Sequence, residues 1–157
     1  MTRILVYTFF NYWHITHKIV RSIQINSVDV YFLGNLASLE KHMVNIQPEY
    51  VLGLGDFRKN SKTIRVEKIF TNKQGNHPID INGKDTYHAT WELSQQEGVI
   101  YTEKTFGGPC NRSSYILSKS IEDHHLQTKF AFVHIPSHYP EALAKNTVNT
   151  WLKSIKT

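Results

Sequence analysis

The first 54 residues alternate between two kinds of apolar pattern, and this alternation constrains the fold more than any other feature of the sequence. Runs rich in β-branched and aromatic residues cover 3–8, 28–33 and 50–54. Between them, apolar residues recur at helical spacing over 14–25 and 38–46. A β-α-β-α-β order predicts parallel strands joined by crossover helices. We therefore expect an α/β fold, a three-layer α/β/α sandwich with a mixed, mostly parallel sheet.

The rest of the chain adds strands and helices without any sign of a second domain. Gly53-Leu54-Gly55 is interpreted as a strand-ending turn, because it lacks the remainder of any phosphate-binding fingerprint. Leu117 lies off the apolar stripe of the helix predicted around it. No repeat, low-complexity tract or linker interrupts the sequence, so residues 1–157 are expected to form a single domain. The later strands are predicted over 63–70, 86–93, 99–104 and 129–133, and the helices over 111–124 and from Pro140 onward.

The bulk composition is that of an ordinary soluble domain. The 157 residues are 40% hydrophobic and 20% charged. No apolar run approaches the roughly 18 residues of a membrane span. The first apolar run is broken by Asn11 and His14 and lacks a small-residue cleavage site, so it predicts a strand rather than a signal peptide. One cysteine permits no internal disulfide and indicates a reducing cytoplasm.

Basic residues outnumber acidic ones and give a formal net charge of +5. Several of them form a cluster that is typical of a solvated loop and strand edge, but the cluster also fits a surface that attracts anionic ligands. No nucleic-acid-binding module is recognisable, so nucleic acid is not expected as a partner. A basic protein that binds acidic ligands remains one hypothesis. The cluster consists of Arg58, Lys59, Lys62, Arg65, Lys68 and Lys73.

The nine histidines do not predict a metal centre. His134 and His138 are four residues apart, but Pro136 between them prevents one regular helical face. Neither a His-Glu-x-x-His pattern nor a cysteine pair occurs, and no glycine-rich phosphate loop is present. No metal or other cofactor is therefore expected.

The candidate nucleophile is Cys110, which follows a Gly-Gly-Pro turn and opens a predicted helix. The unpaired amides and positive dipole end of a helix N-terminus favour a thiolate. Its partner could be His134, which lies where the predicted strand 129–133 ends, since ligands of open α/β sheets bind outside the carboxyl ends of strands. Each residue also has a structural interpretation, a buried small thiol and a hydrogen-bonded core histidine.

Four blocks of sequence connect these residues to a known family. The blocks are Ile4-Leu5-Val6 with Thr8-Phe9, Ile64-Arg65-Val66-Glu67-Lys68 with Asn72, Gly75-Asn76-His77-Pro78-Ile79-Asp80, and Cys110-Asn111 with Phe132-Val133-His134-Ile135-Pro136. In this order they resemble pyroglutamyl peptidase I, the pyrrolidone-carboxylate peptidase family of cysteine peptidases. The 24-residue interval from Cys110 to His134 matches the spacing of that family.

The resemblance implies a fold of the phosphorylase/hydrolase-like kind and a catalytic triad of Cys110, His134 and Glu67. Cys110 would attack the scissile carbonyl, His134 would move the proton, and Glu67 would orient the imidazole. The expected substrate is a small peptide or N-acyl compound that carries an N-terminal pyroglutamyl or related small acyl group. Members of the family often assemble, so a homo-oligomer is left open. The resemblance places the substrate pocket at Phe9, Tyr12, Phe106, Gly108 and Pro109.

The sequence also departs from the family. It is shorter between Glu67 and Cys110, where it lacks the family's arginine after Asn72 and much of a helix. Gly108 and Pro109 stand where the family has Phe-Val, and Pro109 has no N–H, so an oxyanion hole must use other donors such as the Cys110 amide. These departures motivate an alternative: a catalytically silent relative that binds a small ligand or a protein partner.

Overall fold

The computed structural model describes residues 3–11, 13–57, 61–104 and 107–155. Strands and helices alternate through the first half, with additional short strands in the middle. In chain order they are β1 (Ile4–Phe9), α1 (Ile15–Arg21), β2 (Val28–Leu33), α2 (Leu36–Ile46), β3 (Tyr50–Phe57), β4 (Ile64–Glu67), β5 (Ile69–Thr71), β6 (Thr86–His88), β7 (Val99–Thr102), α3 (Pro109–Asp123), β8 (Lys129–Pro136) and α4 (Glu141–Ser154).

Six strands form one mixed sheet in the order β2-β1-β3-β8-β4-β7. All neighbouring pairs are parallel except β4 and β8, which are antiparallel. β5 and β6 form a separate antiparallel pair. The predicted α/β fold with a mixed, mostly parallel sheet is confirmed, and the carboxyl ends of β1, β3 and β8 lie together at one rim.

Two helices cover each face of the sheet. Successive strand residues point to opposite faces, so each strand contributes side chains to the apolar layer on both sides. One apolar cluster joins Leu54, Val66 and Val133 to residues of α1 and α4, including Ile19 and Trp151. The other joins strand residues such as Tyr7 and Phe132 to α2 and α3. Both faces of the central strands are thus buried, which explains their nearly continuous apolar sequence.

Local signals account for the helix ends. The Asn35 side chain accepts a hydrogen bond from the Ser38 amide at the start of α2. The same helix closes at Gln47 in a left-handed conformation, with Pro48 next along the chain. No helix in the described part of the chain is both long and apolar enough to cross a membrane.

Several sequence-based boundaries are wrong. The single strand predicted over 63–70 is divided at Lys68, whose amide donates to Thr102 while its carbonyl accepts from Ala89, so the chain leaves the main sheet there. The strand predicted over 86–93 ends at His88, because the amides of Thr90 and Trp91 both turn to the Phe130 carbonyl. These hydrogen bonds join residues that are distant in the sequence, and no local pattern contains them.

Two further predictions need correction. Gly53-Leu54-Gly55 lies inside β3 rather than in a turn after it. Leu117 is fully buried although it lies off the stripe, because α3 packs on more than one side and also buries small serines.

Candidate active site

Two of the predicted site residues meet on neighbouring strands. In the antiparallel pair of β4 and β8, Glu67 lies opposite Phe132 and Arg65 lies opposite His134. Glu67 and His134 therefore point to the same face, and the Nδ1–H of His134 donates to Glu67 Oε1 at 2.8 Å. Each residue is only 4% exposed. A carboxylate bound to Nδ1 in this way fixes the orientation and the tautomer of the ring.

Cys110 reaches the same place from the helical layer that covers this face of the sheet. It lies in the first turn of α3. The helix can approach the sheet because β3 has no side chain at Gly55, which is paired with His134 in register. A β-carbon on Gly55 would lie 2.9 Å from Cys110 Sγ and 3.2 Å from His134 Cδ2. The sulfur and the imidazole therefore border the same space above this glycine.

The space itself is small. Cys110, His134 and Glu67 line one cavity of about 10 Å³, together with Ile69, Phe70, Asn111, Ser114 and Phe132. That volume is close to the minimum that holds a single water molecule. The three predicted triad residues are thus gathered in one cavity, and any acyl group must enlarge it.

Asn111 anchors the helix turn that carries the sulfur. Its side chain accepts a hydrogen bond from the Thr71 amide at 2.9 Å and donates to the carbonyls of Thr71 and Lys73 at 2.9 and 3.0 Å. The side chain is buried, and its three bonds join α3 to the chain that leaves Glu67 through β5. Asn111 therefore couples the position of the sulfur to the strand that supplies the carboxylate.

The environment keeps the Cys110 thiol protonated. Burial first, and then the nearby carboxylates of Glu67 and Asp56, raise its pKa to about 12, while its own amide acts in the other direction. The sequence predicted the reverse, a thiolate favoured by the helix N-terminus. The helix dipole acts on Cys110 in the first turn, but the desolvation of the thiol outweighs it.

Asp56 is a site neighbour that the sequence analysis missed. It follows Gly55 on β3, and its carboxylate accepts from the Thr16 amide at 3.2 Å and the Thr16 hydroxyl at 3.0 Å. His14 Nδ1 lies 3.7 Å from its other oxygen. The sequence signal that could have identified Asp56 was an acidic residue at the end of a buried strand. Its contact partners are in α1 and the turn before it, so the pairing itself was not visible in the sequence.

The predicted pocket residues are only partly brought together. Gly108 precedes α3 with φ at 82°, and Pro109 is the first, exposed residue of the helix, so both adjoin Cys110. Phe9 ends β1 with its ring 6.4 Å from that of Tyr7. It does not belong to the described lining of the small cavity. Tyr12 and Phe106 fall outside the described residues.

Two described members of the basic cluster contact different aromatic rings. Arg58 and Lys59 fall outside the described residues. The Arg65 guanidinium lies over the Phe57 ring, whereas the Lys68 ammonium lies over the ring of Tyr101 at 5.9 Å. Among the residues that the structure describes, no group of three His, Cys, Asp or Glu side chains could hold a metal ion.

Comparison with known proteins gives consistent relatives in sequence and in fold. No family model matches the chain. It is 24% identical over 139 residues to the pyrrolidone-carboxylate peptidases of Bacillus cereus and Bacillus anthracis, an alignment that includes 72% of this chain and 64% of those proteins. The chain thus matches just under two thirds of the length of these curated relatives.

Solved structures show the same architecture. Pyroglutamyl peptidase I of Bacillus amyloliquefaciens superposes with a TM-score of 0.78 at 16% identity, covering 94% of this chain and 93% of that one. The pyrrolidone carboxyl peptidase of Thermococcus litoralis gives 0.76 at 17% identity, with 99% and 95% covered. The chain is therefore similar in sequence to pyrrolidone-carboxylate peptidases and has the same α/β fold as the solved structures.

Proposed function

We propose that this protein is a cysteine peptidase or amidohydrolase that removes an N-terminal pyroglutamyl or related small acyl group. The observation that carries the proposal is the buried Glu67–His134 hydrogen bond of 2.8 Å in a cavity that also contains Cys110. A carboxylate, an imidazole and a thiol in this order are the components of a nucleophilic triad. The names of the relatives supply the substrate class.

The protonated state of the sulfur determines how the reaction begins. Because the thiol pKa is about 12, Cys110 enters the reaction as a neutral thiol. As its sulfur attacks the carbonyl carbon, His134 Nε2 accepts the S–H proton, and Glu67 stabilises the resulting imidazolium through Nδ1–H. The imidazolium then donates that proton to the leaving nitrogen, which releases the amine and leaves a thioester on Cys110. A water molecule, deprotonated by His134, hydrolyses the thioester and restores the thiol.

Stabilisation of the tetrahedral oxyanion falls to the start of α3. Pro109 supplies no N–H, so the backbone amide of Cys110 is the donor that lies nearest the nucleophile. Gly108 has no β-carbon, and, apart from its chain neighbours, no atom of the described residues lies within 4 Å of the position that a β-carbon would take. An oxyanion hole with one hydrogen-bond donor instead of two predicts a low kcat.

The cavity walls favour a small acyl group. Ile69, Phe70 and Phe132 are apolar, and the cavity volume is about 10 Å³. A flat lactam is compatible with aromatic walls if the site widens around it. Widening costs free energy that the bound substrate must supply, which lowers the apparent affinity.

The proposal is tested by release of aminomethylcoumarin from its pyroglutamyl derivative. We expect turnover by the wild-type protein and a loss of about 10³-fold or more in kcat for Cys110→Ala and His134→Ala. Equal rates for wild type and Cys110→Ala would exclude the sulfur as nucleophile. Circular dichroism of each variant checks that the fold is kept.

A second candidate is the catalytically silent relative that binds a small ligand. The small cavity and the raised thiol pKa favour it, because a narrow site and a protonated sulfur both slow attack on a substrate. It predicts ligand-induced thermal stabilisation by N-blocked amino acids without any product. Turnover of a single member of a panel of N-blocked peptides, lost in Cys110→Ala, would contradict it.

A further inference from the structure

Arg65 occupies a place beside the imidazole that the proposed triad chemistry does not use. It lies directly opposite His134 in the antiparallel register and two residues before Glu67 on β4. Residues two apart on a strand share a face, so Arg65, Glu67 and His134 all point to the α3 side of the sheet. Because β4 is reversed, its first residues lie at the rim where β3 and β8 end.

Phe57 holds the guanidinium in this position. The Arg65 Cζ lies 4.6 Å from the centroid of the Phe57 ring, and that ring is 5.9 Å from the His134 imidazole. Guanidinium, phenyl ring and imidazole thus form one cluster, which adjoins the cavity through His134. Arg65 is half-buried, so a ligand at the rim can reach it. A planar cation fixed over a ring is suited to bidentate binding of a carboxylate.

The chemistry of amide hydrolysis determines which part of a substrate comes to this cluster. The imidazole must donate its proton to the leaving nitrogen, so that nitrogen lies against His134. The next carbonyl group of the substrate is two covalent bonds away from the leaving nitrogen. It is a carboxylate when the leaving group is a single amino acid and a neutral amide when the peptide continues.

From this placement we infer that Arg65 is a specificity-determining residue that binds the free α-carboxylate of a one-residue leaving group. The preferred substrates are then N-acyl or pyroglutamyl amino acids rather than longer peptides. The inference rests on the proposed hydrolytic function and adds the leaving-group side of its specificity. A charge-assisted bidentate contact predicts a preference of about 10- to 100-fold.

The test compares pyroglutamyl-alanine with pyroglutamyl-alaninamide, which differ only in the terminal carboxylate. For wild type we expect kcat/KM to be about 10- to 100-fold higher for the acid. In Arg65→Gln the ratio should fall toward one, and in Arg65→Lys it should be intermediate, because an ammonium binds as a point charge. Lys62→Gln is the matched control, since it removes an exposed cation from the same segment and should keep the wild-type ratio.

Three results would overturn the inference. A wild-type ratio of one or less is sufficient by itself, even if Arg65→Gln fails to fold. An unchanged ratio in a folded Arg65→Gln is the second. A fall of the ratio in Lys62→Gln equal to that in Arg65→Gln is the third, because it would indicate a general attraction between a basic protein and an acidic substrate.

Binding measurements separate this inference from the proposed function. Calorimetry with Cys110→Ala and the same two ligands reports the carboxylate preference without any turnover. If the acid binds more tightly, and Arg65→Gln removes the difference, while wild type hydrolyses neither ligand, the carboxylate site stands and the hydrolytic function fails. If both ligands are hydrolysed at equal rates, the function stands and the role of Arg65 fails. If neither ligand binds or reacts, both are rejected.

Discussion

The two faces of the central sheet share the same strands but are packed differently. On the α1 and α4 side, branched aliphatic residues such as Leu54, Val66 and Ile135 are buried against the helices. On the α2 and α3 side, β3 presents glycine at positions 53 and 55, and the neighbouring strands contribute Glu67 and His134. The first face is filled by side chains. On the second face, the glycines of β3 leave room for large rings of neighbouring strands and, at Gly55, for the helix turn that carries the thiol.

This difference shows how one strand supports both stability and chemistry. Leu54 is fully buried between two glycines that face the other way. A β-carbon on Gly53 would lie 2.4 Å from Phe132 and 2.7 Å from Tyr7, so close packing also excludes a side chain there. Substitutions on the site face should therefore affect the thiol and its reaction, whereas substitutions on the aliphatic face should affect the free energy of unfolding.

The largest effect is expected in the reactivity of Cys110 toward iodoacetamide. Its pKa is raised from 9.0 to about 12, so the thiolate fraction near pH 8 is about 1,000-fold below that of an ordinary thiol. Alkylation of the folded protein should be slower by about that factor and should accelerate as the pH rises. The rate is measured by mass spectrometry, with the urea-unfolded chain as the control. Labelling of the folded protein as fast as that of the unfolded chain would contradict the buried, neutral thiol.

The same shift gives stability a defined pH dependence. A group whose folded pKa is raised contributes stability that is complete below the unfolded pKa and is lost as the pH rises toward the folded value. Wild type should thus become less stable relative to Cys110→Ala between about pH 9 and pH 12, with a limiting slope of about 1.4 kcal/mol per pH unit. Urea unfolding at several pH values measures it.

Gly55→Ala is expected to have the next largest effect, a loss of about 100-fold in kcat/KM. Its new methyl group would lie 2.9 Å from both Cys110 Sγ and the tip of Phe132, so the sulfur must move away from the imidazole. Gly34→Ala is the matched control, because nothing lies within 4 Å of its β-carbon position. An active Gly55→Ala enzyme would show that the site does not need this open space.

Asn111→Ala should lower kcat by about tenfold with a smaller change in KM, because the sulfur loses its anchor to β5 while the cavity walls remain. The comparison is Asn35→Ala, which removes the side-chain cap that accepts from the Ser38 amide at the start of α2. Both variants should lose about 1–3 kcal/mol of stability. Equal kcat values in the two variants would reduce Asn111 to a purely structural residue.

The smallest effect is expected for Ile135→Val on the aliphatic face. Ile135 is adjacent to His134 in sequence, but its side chain is buried in the opposite cluster. The substitution should cost about 0.5–1.5 kcal/mol in urea unfolding and leave kcat per folded molecule as in wild type. A clear loss of kcat would show that the two faces are not independent.

The sequence predicted the layered fold because its first five elements follow each other locally. It did not predict that β4 would be reversed, since that depends on pairing with β8, which is distant in the chain. Glu67, Cys110 and His134 were singled out through spacing and resemblance, and their roles remain a proposal. Asp56, Arg65 and the space above Gly55 were not recognised, because each depends on contacts between separate elements. The shift of the Cys110 pKa was predicted in the wrong direction, because the burial of a thiol cannot be inferred from its position at the start of a helix.

The reversal of β4 has a consequence for how such a domain can diversify. Glu67 is held between β8 and β7, and the chain leaves the sheet immediately after it. The connection from β5 to β7 can therefore gain or lose residues without displacing the carboxylate from the imidazole, and the entropy of closing a longer loop grows only slowly with its length. The hydrogen bond between Glu67 and His134 is thus set by the sheet, while the length of the segment that follows β5 can vary independently of it.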